Sequence, residues 1–351
     1  MSIRFHLWPS YFLPLTRLRH PRPTKSRSYP PSAKHPLQAV FAIHVLGELL
    51  IYWLALRCLV CYKSAIGFAM QIIPATTVLG ANIEGVDLRT ITRDDFAIIY
   101  GAWLAHSVLL FRGQNLTDQD LIAFSRRFGE LEWAPIQETG RRFVEGLPEI
   151  YIVSNVLENG EPIGSLGAGE AAWHTDMSYL EDPPKASMLY ALEVPSLGGD
   201  TYFCSMYYAY DSLPESLRQR IASYALKHDG TYNSGGYLRQ GIDAIDDPIR
   251  SPGTCHPLVC THPETRRRLL YLGRRRNAYI TTLPLAESEA ILDELWSYTT
   301  RDEFTWRHTW QVGDLVLWDN RCTMHRRDAF QESSRRILHR TQIKGQAHPS
   351  S

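Results

Sequence analysis

From residue 185 onward the chain is built from short apolar runs of strand length. Residues 188–194, 201–204, 269–272, 315–318 and 336–343 each carry β-branched or aromatic side chains over four to eight positions. One helix-length period, 287–296, interrupts them, and no strand–helix–strand unit repeats. That pattern excludes a doubly wound parallel sheet. It predicts a mainly β fold, a sandwich or barrel of largely antiparallel strands with flanking helices outside it. The helices come earlier. Thr92 followed by Asp95 and by Phe96, Ile99, Tyr100 and Trp103 has the cap and spacing of an amphipathic helix. A strand is expected at 108–111. Thr117 with Asp120 opens a second helix whose Leu121, Phe124 and Phe128 share a face and which Gly129 is placed to end.

The first 69 residues are written differently. They hold nine Lys or Arg against the single acid Glu48, and residues 1–36 contain seven prolines and no acid, a composition that cannot bury enough apolar surface to form a core. Residues 37–62 are almost wholly apolar and long enough to span a bilayer, with His44, Glu48 and Arg57 to be accommodated there. The reading adopted is an extension outside the domain, with Met70 as the biological start, a folded domain over 70–346 and a tail at 347–351. Because the formal net charge of the whole chain is zero, residues 70–351 carry an acidic surplus, which gives the domain no global attraction for nucleic acid or anionic membrane. Six cysteines without disulfide-like spacing point to a reducing, cytoplasmic location.

Chemistry is concentrated in two segments. In Trp173-His174-Thr175-Asp176 an extended backbone would turn His174 and Asp176 to the same side. His325, 149 residues after Asp176, supplies a third ligand behind the apolar strand 315–318. Two imidazoles and a carboxylate on one face of a metal leave three octahedral positions open, the arrangement of non-haem Fe(II) oxygenases. Beyond His325, Arg336 and Arg340 should point the same way along a strand, roughly 13 Å apart. Each guanidinium presents a planar fork suited to carboxylate or sulfonate.

These residues stand in a longer series: Gly80-Ala81-Asn82-Ile83 with Gly85-Val86-Asp87-Leu88, Phe128-Gly129-Glu130-Leu131, Gly198-Gly199-Asp200-Thr201, Trp318-Asp319-Asn320-Arg321 through His325, and Arg335-Arg336-Ile337 with His339-Arg340. In that order they resemble the taurine dioxygenase and 2,4-dichlorophenoxyacetate dioxygenase (TauD/TfdA) family over residues 70–345. The resemblance implies a double-stranded β-helix, or jelly roll. It also implies Fe(II) held by His174, Asp176 and His325, 2-oxoglutarate contacts from Thr201 and Arg336, and a substrate-anion contact from Arg340. The implied reaction consumes O₂ and 2-oxoglutarate, releases succinate and CO₂, and hydroxylates a small anionic molecule; the carboxylate at Asp176 separates this pattern from that of related halogenases.

Taurine itself is not the expected substrate. Where the taurine enzyme places a His and a Tyr on its substrate, a gap-free reading puts Ala134 and Gln137 here. The glycine-rich stretch 157–170 is a candidate lid. Cys58 and Cys61, the group Cys255, His256, Cys260 and His262, and the arginine runs 266–268 and 274–276 read as ordinary structural or solvated residues, with no nucleic-acid partner. Tyr190, Tyr202, Trp306, Trp310 and Trp318 read as core and receive no role. Two other classes compete: a zinc-dependent hydrolase, which leaves Arg336 unexplained, and a membrane-anchored binding protein using residues 37–62. Oligomers are common in the resembling family, so a homo-oligomer stays open.

Overall fold

The structure, a computed structural model, describes residues 70–134 and 144–345. The readings placed on residues 1–69, on Gln137 and on the tail lie outside the described residues. Twelve strands build two facing sheets: β1 (Gln71–Pro74), β2 (Ala81–Glu84), β3 (Val108–Phe111), β4 (Tyr151–Ser154), β5 (Ser165–Leu166), β6 (Ala171–His174), β7 (Ala186–Glu193), β8 (Thr201–Ser205), β9 (Thr305–His308), β10 (Leu315–Asp319), β11 (Thr323–Arg327) and β12 (Ile337–Ile343). The larger sheet has the order β1-β2-β3-β10-β7-β12-β4-β5 and the smaller β9-β8-β11-β6. All neighbours in them are antiparallel except β2 with β3 and β4 with β5. From β5 to β12 the chain passes repeatedly between the two sheets, with only β8 and β9 following one another in the same sheet, which gives the expected jelly roll.

Apolar side chains from both inner faces meet between the sheets. Phe203 of β8 packs at 5.6 Å between ring centroids on Trp318 of β10, alongside Val316, Leu338 and Val153. Alternation along β12 sorts its residues. Leu338, Arg340 and Gln342 turn inward, whereas His339 and Thr341 face helix α2 (Asp118–Arg126), through His339 to Asp118 and Thr341 to Ser125. Helices α1 (Arg93–His106) and α2 cover the outside of the larger sheet with Ile99, Trp103, Leu121 and Phe124. Both begin with reciprocal capping boxes, Thr92 with Asp95 and Thr117 with Asp120, as the sequence predicts.

Several boundaries differ from the expectation. α2 ends at Arg126, before Gly129; with φ +150°, Gly129 instead lets the chain pass β12, where a Cβ would lie 2.9 Å from Ile343. Two short helices, α3 (Met206–Asp211) and α4 (Glu215–Ile221), follow β8; α3 is tyrosine-rich, which favours strand by propensity, yet it packs Met206 and Tyr207 into the second core, which Leu217 of α4 joins. The predicted helix at 287–296 is longer, α5 (Leu285–Thr299), starting directly after Pro284. The stretch 157–170 is partly tied down. It forms a small hairpin and then β5, and Arg327 donates to the Leu166 carbonyl at 3.0 Å.

Candidate active site

The smaller sheet makes the site possible. β6 and β11 are antiparallel neighbours, and His174 and His325 are register partners across them, with ring centroids 4.1 Å apart. The Ala172 carbonyl lies 2.8 Å from His174 Nδ1; a carbonyl only accepts, so Nδ1 carries the proton and Nε2 keeps its lone pair. β6 ends at His174, and Asp176 stands two residues further on at the start of a turn that includes Met177 at φ +49°, with its carboxylate on the same side as the His174 ring. Asp176 Oδ1 then lies 3.5 Å from His174 Nε2 and 3.8 Å from His325 Nε2. The three ligand atoms are buried and lie within 4.8 Å of one another.

The carboxylate is held from behind. Ser187 Oγ donates to Asp176 Oδ2 at 2.8 Å and Gln342 Nε2 donates to the same oxygen at 3.1 Å, leaving Oδ1 toward the histidines. Asn320 clamps the backbone: its Oδ1 accepts from Asp176 N–H at 2.8 Å, and its Nδ2 donates to the carbonyls of Asp176 and Pro184, each at 2.9 Å. Burial pushes the Asp176 carboxyl up, but the neighbouring Arg340 guanidinium leads the effects that outweigh it and hold the group below the usual carboxylate range. Burial lowers His325 to about 3 and keeps its ring neutral, the form that binds metal. The donor set and its supporting hydrogen bonds fit a divalent iron.

Thr201 and Arg336 meet around Trp310. Thr201 Oγ1 accepts from Trp310 Nε1 at 2.9 Å, and the Arg336 guanidinium lies 5.9 Å from the Trp310 ring. Arg336 is the more telling residue. It is 2% exposed, its Nε has no hydrogen-bond partner, and burial with Arg327 nearby lowers its affinity for a proton against a partial offset from Asp200. A buried guanidinium so poorly matched by carboxylates fits a ligand carboxylate. Its expected place on the last strand is one residue off, since β12 begins at Ile337 and its pairing with β7 shifts between Ile337 and Leu338. Arg340 lies in the pocket with His174 and Asp176, its Nη1 3.5 Å from Asp176 Oδ1.

The other sequence features resolve more simply. His262 pairs with Asp319 at 3.1 Å and approaches Cys322; Arg321 donates twice to Asp319, which satisfies that carboxylate without a metal. In the second arginine run, Arg275 and Arg276 bind surface acids, but Arg274 turns into the pocket, contrary to the solvated-face reading. Ser187 gives no signal in the sequence, Asn320 stands in the Trp318–Arg321 motif without a role of its own, and Trp310 reads only as core. Gln342 does give a signal, because it shares the inward phase of Arg340.

Residues 71–342 match the family described as Taurine catabolism dioxygenase TauD, TfdA family. This chain belongs to the TauD/TfdA family. The alpha-ketoglutarate-dependent 2,4-dichlorophenoxyacetate dioxygenase of Cupriavidus pinatubonensis (strain JMP 134 / LMG 1197) is 35% identical over 278 residues, 76% of this chain and 95% of that protein. The alpha-ketoglutarate-dependent sulfate ester dioxygenase of Pseudomonas putida is 30% identical over 289 residues, 79% of this chain and 90% of that protein. Among solved structures, AAD-2 in complex with Mn(II) and N-oxalylglycine superposes with a TM-score of 0.66 at 29% identity, covering 80% of this chain and all of that one. The TauD/TfdA protein described here is an alpha-ketoglutarate-dependent dioxygenase, using iron, 2-oxoglutarate and O₂. The zinc-hydrolase and non-enzymatic readings are thereby overturned, whereas residues 37–62 lie outside the described residues. Among the described residues no helix is long and apolar enough to cross a membrane.

Proposed function

We propose that His174, Asp176 and His325 hold Fe(II), that Thr201 and Arg336 hold the far carboxylate of 2-oxoglutarate, and that Arg340 receives the anionic group of a small organic substrate. The substrate is hydroxylated as 2-oxoglutarate is converted to succinate and CO₂. Bound iron and cosubstrate supply the oxidising chemistry; the protein supplies position and charge. The observation that carries this reading is the pairing of a buried His-Asp-His cluster with an uncompensated buried arginine, Arg336, on the same two-sheet scaffold. The relatives named for a phenoxyacetate and for sulfate esters support an anionic substrate. Taurine is a poor candidate: Ala134 is an apolar side chain packed against the inter-sheet core and offers no hydrogen bond. The described cysteines, Cys204, Cys255, Cys260 and Cys322, are free thiols, which supports a reducing cytoplasmic location.

Anaerobic titration of the full chain with Fe(II) and 2-oxoglutarate tests the assignment through the weak visible charge-transfer band of the chelate. The parent protein should show the band, Asp176→Ala should lose or alter it, and Arg336→Ala should need far more 2-oxoglutarate to reach it. A parent with Fe(II) bound but no band would overturn the assignment.

A further inference from the structure

The pocket that holds the metal ligands contains more positive charge than one substrate anion needs. Besides His174, Asp176 and Arg340 it is lined by Arg239 and Arg274, which come from the irregular segment after Thr231 and from the turn after Gly273. Each of the three arginines has a buried Nε without a hydrogen-bond partner. The carboxylates nearby do not balance them. Asp176 faces Arg340 at 3.5 Å through the same oxygen that it presents to the histidines, and its other oxygen is taken by Ser187 and Gln342, so it offers nothing to Arg239 or Arg274. Asp229, the acid acting on Arg274, accepts from the backbone N–H groups of Thr231 and Tyr232. Burial, followed by the charge of Arg239, lowers Arg274 to about 10, so this pair of cations is held together at a cost.

The arginines are also aimed. Arg340 stands over the Tyr151 ring at 4.4 Å and reaches Asp176 and Gln342, at the metal end. Arg239 stands over the Tyr179 ring at 4.1 Å, and Arg274 Nη1 donates to the Asn233 carbonyl at 2.7 Å and to that of Tyr232. These anchors, Tyr179, Tyr232 and Asn233, are different residues from those that hold Arg340, and they leave the Nε donors of both guanidiniums unspent. Held in this way, they lose little freedom when an anion arrives.

We propose that the substrate of this site is a small organic acid with two anionic groups, one met by Arg340 beside the metal ligands and the second met by Arg239 and Arg274. This rests on the dioxygenase assignment of the site and narrows its substrate class. A monoanion satisfies Arg340 and leaves the second pair of cations uncompensated.

The test uses the full chain loaded anaerobically with Fe(II) and saturating 2-oxoglutarate, and matched acids that differ by one charge: adipate against hexanoate, terephthalate against p-toluate, 4-sulfobenzoate against benzoate. Dissociation constants are read from the shift of the charge-transfer band; displacement of 2-oxoglutarate abolishes the band and is thereby told apart from binding beside it. In at least one pair the dianion should bind about tenfold more tightly or better. That advantage should vanish in Arg239→Gln and shrink in Arg274→Lys, while both variants keep the parent band with 2-oxoglutarate, which shows that they are folded and loaded. Equal binding within every pair, no binding by any acid, or an advantage that survives both substitutions overturns the two-anion site and leaves the dioxygenase assignment standing. Absence of the band in the parent overturns both.

Discussion

Gln342 donates its side-chain amide to Asp176 Oδ2 at 3.1 Å and accepts from Arg340 Nη2 at 3.2 Å through the other end of the same amide. A metal ligand and the proposed substrate reader are therefore joined through one neutral side chain. Groups that orient a ligating carboxylate typically contribute 10–100-fold in metal affinity or activity. Gln342→Leu should therefore weaken Fe(II) binding by about tenfold or more. The variant should also consume 2-oxoglutarate without matching product formation, because Arg340 loses its link to the iron site. Fe(II) titration, followed by the ratio of succinate to hydroxylated product, measures both. Unchanged affinity together with unchanged coupling would show that Ser187 alone suffices to hold Asp176.

Asn320 acts on the backbone of the same ligand. Asn320→Ala would strip partners from the Asp176 N–H and from the Asp176 and Pro184 carbonyls in a position that is 1% exposed. A buried polar group left unsatisfied costs roughly 1–3 kcal/mol, which for a domain of this size lowers Tm by several degrees. The expected result is a lower Tm in the metal-free protein and weaker Fe(II) binding. A normal Tm with normal iron affinity would mean that the turn holding Asp176 is fixed by other contacts.

The metal ligands were legible in the sequence because they are chemically distinctive and because the segments that carry them form neighbouring strands. His174 and Asp176 face the same side, as their i,i+2 spacing predicts, although the regular strand ends at His174 and a turn follows Asp176. Ser187 is invisible in the sequence and Asn320 stands in a motif without an assignable role, since both roles depend on tertiary register, with Ser187 on β7 and Asn320 just beyond β10. Helix α3 is hidden for a related reason: its tyrosines favour strand locally, and only the packing of Met206 and Tyr207 into the second core decides for helix. Arg274 shows the converse error, where a run of three arginines looks solvated until one is seen to face inward.

His228 gives the fold a pH dependence of its own. The ring is buried against His256 and Tyr271, with Gly273 so close that a Cβ there would overlap it. Burial, then His256 and Arg274, lowers its pKa well below the ordinary histidine value of 6.5. Above about pH 6.5 neither folded nor unfolded chain protonates it. As pH falls below that value the unfolded chain takes up a proton that the folded chain refuses, so stability drops by about 1.4 kcal/mol per pH unit from this residue until the folded value is reached. His228→Gln should therefore lose less stability than the parent between pH 7.5 and 5.5, a difference of roughly 1 kcal/mol or more in paired urea titrations. Parallel losses in the two proteins would show that His228 is not held neutral.

Arg336 yields the most discriminating substitution, because its effects on stability and on binding have opposite signs. The guanidinium is buried with Arg327 nearby, its Nε has no partner, and among the described residues its one hydrogen bond is the weak one from Nη2 to the Gly199 carbonyl at 3.5 Å. Replacing a buried, poorly paired charge by an apolar side chain of similar length removes a desolvation cost, so Arg336→Met should leave the protein without 2-oxoglutarate as stable as the parent or more stable. Adding Mn(II) and 2-oxoglutarate should then raise Tm in the parent through selective binding to the folded state, and raise it little in the variant. Arg336→Lys keeps a charge but loses the planar fork, and should fall between the two in 2-oxoglutarate affinity. If Arg336→Met instead lost several degrees without ligand and retained the full ligand-induced rise, Arg336 would be a structural cation and the cosubstrate carboxylate would have to be held elsewhere.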